Sequence, residues 1–384
     1  MILWISAALA GGYEVAQQGV RAGGMAHAGT AAVAAESAWY NPSALTDGVP
    51  RFGLSGVVAN PRIQSRAEAE VYETIGGPSY IPQVHGAWAW GDWAAGASLN
   101  APFGGGVRWP ADWPGRFDIV CSRTQVLRAS PFVATRRGPV ALSIGPHLDA
   151  GTLEVFKATD HVSEEGTAHL LLDGRGVGVD AALFLDLDEV DLGVSYKSRT
   201  SMRLSGLADF DVPDPFAATL PDQTVEADWT LPDRLAVGVA WRGLRLDATT
   251  TLWSVNDELR FEFAESDDAV NDYRWRNSGA LRLGGETALQ GFELRGGLAL
   301  ERTPAPVETL SAASPDGPRF SLTVGAGRAL TDALRVDAFV EHLRILERQS
   351  DSTQASYGGS AWVAGVGVEA RRFGAGRDAA SGSP

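Results

Sequence analysis

The sequence predicts an all-β fold: a 14-stranded antiparallel transmembrane β-barrel with a small N-terminal plug, or hatch, inside its lumen. Three observations predict it. From Arg51 onward, runs of alternating apolar and polar residues recur, separated by turns. Glycine, at 45 of 384 residues, is about 12% of the chain against a usual ~7%, and 12 tryptophans accompany it. No stretch reaches the roughly 18 consecutive apolar residues of a membrane helix, whereas a membrane strand needs only alternation over about 10.

The alternation is clearest where faces differ most. Leu235, Val237, Val239 and Trp241 share one face, and Ala236, Gly238 and Ala240 the other. Leu244, Leu246, Ala248 and Leu252 likewise oppose Arg245, Asp247, Thr249 and Thr251. Side chains alternate along a strand, so a face of Leu opposite a face of Arg and Asp fits a wall that is apolar outside and polar inside. Such runs lie near 52–64, 80–91, 93–103, 120–136, 140–158, 167–186, 190–207, 223–242, 244–263, 273–289, 291–303, 319–328, 334–348 and 357–373. That is about fourteen, an even number as bacterial barrels require. About 24 residues are available per strand and loop, more than the ~10 that cross a bilayer, so strands are expected to extend above the membrane.

Turns follow the same alternation. Gly91-Asp92, Arg137-Gly138-Pro139 and Trp241-Arg242-Gly243 are tight, while connections such as 208–224 are long and rich in Asp and Pro. Short turns on one side and long loops on the other are the asymmetry of an outer-membrane barrel. Trp88, Trp90, Trp93, Trp229, Trp241, Trp253, Trp275 and Trp362 fall mostly near strand ends, where an indole suits the boundary between lipid and water.

The start of the chain differs. Residues 1–10 form an apolar run ending Ala8-Leu9-Ala10, the small-x-small pattern of a signal-peptidase site, although no basic segment precedes it. Residues 11–50 are the expected plug: rich in Ala and Gly, nearly uncharged and without a period of two, with Asn41-Pro42 marking a sharp end after Trp39 and Tyr40. The barrel is expected to occupy 51–373 and a flexible tail 374–384.

Composition removes other classes. A net charge of −15 argues against nucleic acid as a partner. The single cysteine, Cys121, makes no internal disulfide, and no Cys/His set offers a zinc site. Asp173-Gly174-Arg175-Gly176-Val177-Gly178 lacks the spacing and the following helix of a dinucleotide loop. Asp186-Leu187-Asp188-Glu189-Val190-Asp191 lacks the central Gly and terminal Glu of a calcium loop, and reads as a solvated turn. No nucleophile or metalloprotease motif appears, and His27 reads as a packed residue, so neither an enzyme, a cofactor nor a metal is expected.

Several ordered blocks resemble the FadL/TodX (OmpP1) family of outer-membrane transporters for hydrophobic compounds. They are Gln17-Gln18-Gly19, Arg21 to Gly29, Ala31 to Ala34 and Tyr40-Asn41-Pro42-Ser43-Ala44-Leu45, then Leu99-Asn100-Ala101-Pro102-Phe103-Gly104 and Asp112-Trp113-Pro114-Gly115-Arg116-Phe117. Later blocks are Leu231 to Arg234 before Val237 to Ala240, Tyr273 to Asn277, and Pro315 to Arg319. The resemblance implies passive uptake of long-chain fatty acids or aromatic hydrocarbons across the outer membrane of a Gram-negative bacterium. Capture near the outer loops, rearrangement of the hatch and lateral exit through a kinked third strand are the implied steps. Asn41, Pro42 and Ser43 correspond to the hatch element, and Asn100, Pro102, Phe103 and Gly104 to the kink. Pro102 lacks an N–H and Gly104 to Gly106 weaken pairing, so backbone chemistry independently places a ladder defect there. Arg116 is a candidate contact for a ligand head group, with a loop ion pair as the alternative.

The expected partners are a hydrophobic small molecule and the lipid and lipopolysaccharide of the membrane, with the protein monomeric. Outer-membrane barrels usually finish on an aromatic residue in phase with the lipid face, whereas Trp362, Ala364, Val366, Val368 and Ala370 set a phase that Phe373 misses by one. A bulge at Arg371-Arg372 would restore it. Two alternatives share the alternation. A general diffusion porin would conduct ions and lack the plug; a soluble exported β-rich binding protein would purify without detergent.

Overall fold

The computed structural model describes residues 12–67, 70–161 and 164–371. The expected leader at 1–10, Phe373 and the tail at 374–384 lie outside these residues. Strand β1 covers Arg51–Ala67, β2 Ser79–Trp90 with a short extension Glu70–Glu73, β3 Trp93–Arg108, β4 Cys121–Arg137, β5 Val140–Asp160 and β6 Glu165–Leu187. Strand β7 is split into Val190–Lys197 and Thr200–Asp211, β8 into Gln223–Leu231 and Arg234–Trp241, β9 into Leu244–Thr251 and Glu258–Phe263, and β10 into Ala269–Asp272 and Ser278–Leu289. Strands β11 (Phe292–Glu301), β12 (Arg319–Ala329), β13 (Leu334–Gln349) and β14 (Ser356–Arg371) follow. The sheet therefore has 19 hydrogen-bonded segments but 14 walls, because five strands are interrupted. It closes where β1 pairs β14 antiparallel, from Arg51 opposite Arg371 to Arg66 opposite Ser356.

Burial is inverted relative to a water-soluble sheet. Leu142, Ile144, Leu148, Val177 and Val179 are exposed on β5 and β6, while Arg128, Asp149, Arg282, Arg295 and Glu341 are buried on inward faces. Such a wall is stable where the outside is hydrocarbon and every backbone group is paired by closure. The predicted phase of β14 holds: Trp362, Val366 and Val368 face out, and Ala361 and Val363 face in. Strands β5 and β6 run 21 and 23 residues, so much of the surplus length extends the wall.

The chain reverses briefly at the end that carries the longer loops, where Ala67 pairs Glu70 and Asp160 pairs Glu165. The two-residue turns at 91–92, 138–139, 188–189, 242–243 and 290–291 all fall at the other end. At two of them Arg242-Gly243 (φ 46° and 85°) and Gln290-Gly291 (51° and 81°) take two consecutive left-handed residues, the geometry of a tight hairpin turn matched to strand twist. Longer connections, including 109–120, 212–222 and 302–318, crowd the opposite end. The barrel rule makes the short-turn end periplasmic and the long-loop end extracellular.

The predicted aromatic belt is only partly correct. Trp88, Trp90, Trp93, Trp241 and Trp362 are exposed on the outer face, but Trp229, Trp253 and Trp275 are buried in the lumen. Trp229 has the inward phase of its strand, and Trp253 and Trp275 lie in the breaks of β9 and β10, where period two no longer applies. Closure by the β1–β14 ladder carries a direct expectation: unheated protein in SDS runs at a different mobility from boiled protein. Identical mobility would contradict a closed barrel.

Candidate functional site

Residues 12–50 contain only α1 (Val20–Gly23), α2 (Ser37–Tyr40) and a 3-10 turn, Pro42–Leu45. Elements this short bury no core of their own, and their orphan backbone groups need partners. The inward face of the wall supplies them. Gln17 Nε2 donates to Glu341 on β13 (3.1 Å), Ala26 N to Thr323 on β12 (2.9 Å), Thr30 N to Asp247 on β9 (2.8 Å) and Ala35 N to Glu369 on β14 (2.8 Å). The segment is thus held from several sides and fills the lumen. Within it, the Glu36 carboxylate accepts from the backbone N–H of Arg21 and Ala22 at 3.1 and 2.6 Å. Burial lifts the Glu36 carboxyl above its usual range, with the Ala22 N–H opposing the shift.

The wall is interrupted between β2 and β3. Their ladder runs from Trp90 opposite Trp93 only as far as Val84 opposite Leu99. Beyond it, Ser79–Gln83 pairs with β1 and residues 103–108 with β4, and no ladder joins the two edges among the described residues. Asn100 faces Arg128 and Phe103 faces Val126, so Ala101 and Pro102 together oppose the single Leu127, as in a β-bulge. From Asn100 onward the alternation of burial is lost and nearly every residue is covered, as expected of a strand leaving the wall for the lumen. Gly104, Gly105 and Gly106 keep their register with Gln125, Thr124 and Arg123. The register shift on the β4 side therefore lies at Ala101-Pro102, while Gly104 to Gly106 stay paired with β4 and have no ladder partner in β2 among the described residues. The gap is bounded above by Ile75 N donating to Arg108 O at 2.8 Å.

The N-terminal segment occupies this gap. Val15 N donates to Pro102 O and Gly104 N to Tyr13 O, both at 2.8 Å, with Glu14 opposite Phe103 in an antiparallel bridge. Residues 13–15 thus add a short strand to the bent edge, a β-augmentation made within one chain. Side chains tie the rest: Gln18 Nε2 donates to Val15 O (2.9 Å) and Ala101 O (2.8 Å), and Gln18 Oε1 accepts from Asn100 Nδ2 (3.0 Å). Asn100 Nδ2 also lies 3.2 Å from His85 Nε2, and Gln83 donates to Gln17 O.

Above the plug, a cavity of about 1190 Å³ opens among the outer loops, with Tyr13 on its floor and Leu153, Val155, Leu170 and Phe261 in its walls. Tyr13 is ringed by Trp253 (centroids 4.8 Å apart), Trp275 (5.2 Å) and Trp229 (5.6 Å), and Trp253 meets Phe103 at 5.9 Å. Trp229 Nε1 donates to Tyr13 Oη at 2.7 Å, which satisfies a buried phenol whose ionisation burial strongly opposes. One contiguous apolar cluster therefore joins Leu153 and Phe261 in the mouth, Trp253 beneath it, and Phe103, Ala101 and Ile81 at the gap.

The opposite half of the lumen is ionic. Arg295 reaches Asp337 and Glu293 (2.7 Å each) as well as Glu286; Arg335 reaches Asp337 (2.8 Å); and Arg21 of the plug reaches Glu286 (2.9 Å). These strands end in the short turns, so the charges lie toward the periplasmic end.

Residues 1–376 match the family described as outer membrane protein transport protein (OMPP1/FadL/TodX). The chain belongs to this family. It is an outer-membrane β-barrel transporter of the FadL family. A search of curated proteins gave no significant match. Among solved structures, a Pseudomonas aeruginosa FadL homologue superposes with a TM-score of 0.82 at 18% identity, covering 94% of this chain and 99% of that one. The P. putida toluene transporter TodX gives 0.76 at 18% identity (92% and 99%), and the CymD monoaromatic hydrocarbon channel 0.69 at 19% (96% and 100%). At these identities the likeness shows the fold.

Within this FadL-family barrel, Asn41, Pro42 and Ser43 are buried at the base of the plug: Asn41 Nδ2 donates to Thr30 O (3.0 Å) and Leu183 O (2.9 Å), and Ser43 Oγ donates to Asn41 Oδ1. Asn100, Pro102, Phe103 and Gly104 come together at the gap. Arg116 is held by Glu165, with Nε to Oε2 at 3.0 Å, and its guanidinium covers Phe117 at 4.4 Å. Phe117 and Asp118, rather than Arg116, line the mouth cavity. Sequence reasoning did not single out Gln83, His85, Tyr13 or the Trp253/Trp275 pair as parts of one path. The only signal was that Gln17-Gln18 is the polar start of a small-residue stretch.

Proposed function

We propose that this protein admits hydrophobic small molecules passively, as a monomer, and releases them sideways into the outer leaflet of the outer membrane. The carrying observation is that its apolar path runs from the mouth cavity past Tyr13 to the unpaired edges between β2 and β3, while the lumen beneath is filled by ion pairs. A greasy solute gains roughly 25 cal/mol per Å² on leaving water, and loses that gain among buried charges. Its favourable route is therefore lateral. Capture occurs in the mouth, the solute moves against the Tyr13 cage, residues 13–18 withdraw from the bent strand, and the molecule leaves beside Phe103. Asn41, Pro42 and Ser43 anchor the base of the plug while its first residues move. The solved relatives named for toluene and monoaromatic hydrocarbons support aromatic solutes; long-chain fatty acids fit the same chemistry.

The test is uptake into vesicles carrying the protein in outer-membrane lipid, with toluene and decanoate against vesicles without protein. Gln18→Leu removes the side-chain bonds that bolt the gap, each worth about 0.5–1.5 kcal/mol. Its uptake is expected to rise several-fold with the heat-dependent mobility shift kept. Wild-type vesicles no faster than empty ones would refute the reading.

A further inference from the structure

Where β13, β14 and β1 lie side by side, the outer face of the wall changes character within two rows of residues. Gly56, Val366 and Ala338 form one row in register, and Val58, Ala364 and Val340 the next, both apolar. Asn60, Trp362 and His342 follow toward the loops, with the indole and imidazole centroids 4.6 Å apart. Arg62, Ser360 and Arg344 form the row after that. An exposed tryptophan belongs at the boundary of hydrocarbon and head groups, so the two arginines stand where head groups begin.

Arg62 and Arg344 each neighbour Ser360, so their Cα atoms lie about 10 Å apart, twice the spacing of strands. Only the small serine stands between them, with Gly358 in the next row, so two long side chains can close on one group above it. The wall neutralises neither arginine well. Arg62 Nη1 lies 3.7 Å from Glu73 Oε1, an exposed contact of little value. The Arg344 side chain has no ion pair or hydrogen bond among the described residues, and its outward neighbours Phe320 and Leu346 are apolar. Other outward arginines differ: Arg203 on β7 is met by Glu226, Asp228 and Glu262, and Arg260 on β9 by Glu258 and Asp268. A cation at the edge of hydrocarbon is costly without a counter-charge, and at Arg344 the membrane is the source of one.

We propose that Arg62 and Arg344 bind a phosphate of lipid A, the phosphorylated glycolipid base of lipopolysaccharide, with its acyl chains packed below against Trp362, Val366 and Val58. Guanidinium forks match phosphate oxygens two at a time, and Ser360 Oγ offers a further donor between them. The exposed indole of Trp362, flanked by Asn60, suits a sugar head group above acyl chains. The long-loop end faces outward, which places this row in the leaflet that contains the glycolipid. The site stands apart from the solute path and holds whether or not release is lateral.

The experiment titrates the purified protein in detergent with radiolabelled lipid A and with the same lipid stripped of its phosphates. The wild type is expected to bind lipid A about tenfold or more tighter than the stripped form, the value of one or more charge-assisted bonds. Arg62→Gln with Arg344→Gln is expected to bind both forms alike and to keep the heat-dependent mobility shift. Arg203→Gln, an outward arginine already held by three carboxylates, is the charge-matched control and is expected to bind lipid A as the wild type does. Should the double variant lose the mobility shift, Arg344→Gln alone carries the comparison, since its side chain holds nothing in the wall. Equal wild-type affinity for lipid A with and without phosphates, or wild-type affinity for lipid A in the folded variant, overturns the site. Displacement of lipid A by phosphatidylglycerol or by inorganic phosphate at equal concentration overturns the assignment to the glycolipid.

Discussion

Deleting Pro102 is expected to abolish uptake of toluene and decanoate while leaving a barrel that still shows the heat-dependent mobility shift. One surplus residue separates the pair Asn100 and Arg128 from the pair Phe103 and Val126. Without Pro102, Ala101 sits opposite Leu127 and the register with β4 becomes continuous. The inward bend then loses its cause, since a bulge kinks its strand and increases local twist. A straight edge at 103–108 meets the unpaired edge of Ser79–Gln83, and each ladder bond gained adds about 0.5–1.5 kcal/mol against reopening. The plug strand at residues 13–15 is displaced by the same change, because its partners Pro102 O and Gly104 N are removed or taken. Pro102→Ala is the matched control: it restores an N–H but keeps the surplus residue, so the bend and most of the uptake are expected to persist. Uptake at the wild-type rate in the deletion would remove the gap between β2 and β3 from the transport path.

The wall was legible in the sequence for a simple physical reason. In a closed barrel each strand has lipid on one side and polar filling on the other, so Leu235, Val237 and Trp241 declare their face without knowledge of any neighbour. The position of the gap was legible from Pro102, which lacks a donor, although its neighbouring glycines stay paired. What fills the lumen was much harder to read. Arg21 meets Glu286, Gln17 meets Glu341 and Tyr13 meets Trp229, partners separated by 265, 324 and 216 residues. No local pattern encodes such pairs. Trp253 and Trp275 were assigned to the lipid boundary because tryptophan is common there, and only the strand breaks in β9 and β10 turn them inward. Arg116 shows the converse: an exposed-looking loop arginine was a fair candidate for an anion, and the structure pairs it with Glu165 across 49 residues.

Replacing Arg295 by Ala is expected to convert an electrically silent barrel into a conducting one. The Arg295 side chain is fully buried and reaches Glu286, Glu293 and Asp337. Breaking a buried pair from one side costs up to about 3–5 kcal/mol, and less here, because Arg335 still reaches Asp337 and Glu293 and Arg21 still reaches Glu286. The ladders that close the wall contain none of these side-chain bonds, so the cost falls on the packing between wall and plug. Water entering to solvate Glu286, Glu293 and Asp337 relieves it, and a wetted path lined by carboxylates passes cations in preference to anions. Single-channel recording in planar bilayers is expected to show cation-selective conductance in Arg295→Ala and none in the wild type. Asp337→Asn in the same chain removes one of the three carboxylates that lost Arg295 and is expected to reduce that conductance. Uptake of toluene provides the second readout, because the proposed route leaves the lumen at Phe103 and does not pass Arg295. Conductance with unchanged uptake separates the ionic seal from the hydrophobic path; a variant that stays silent would show that the plug seals the lumen without these charges.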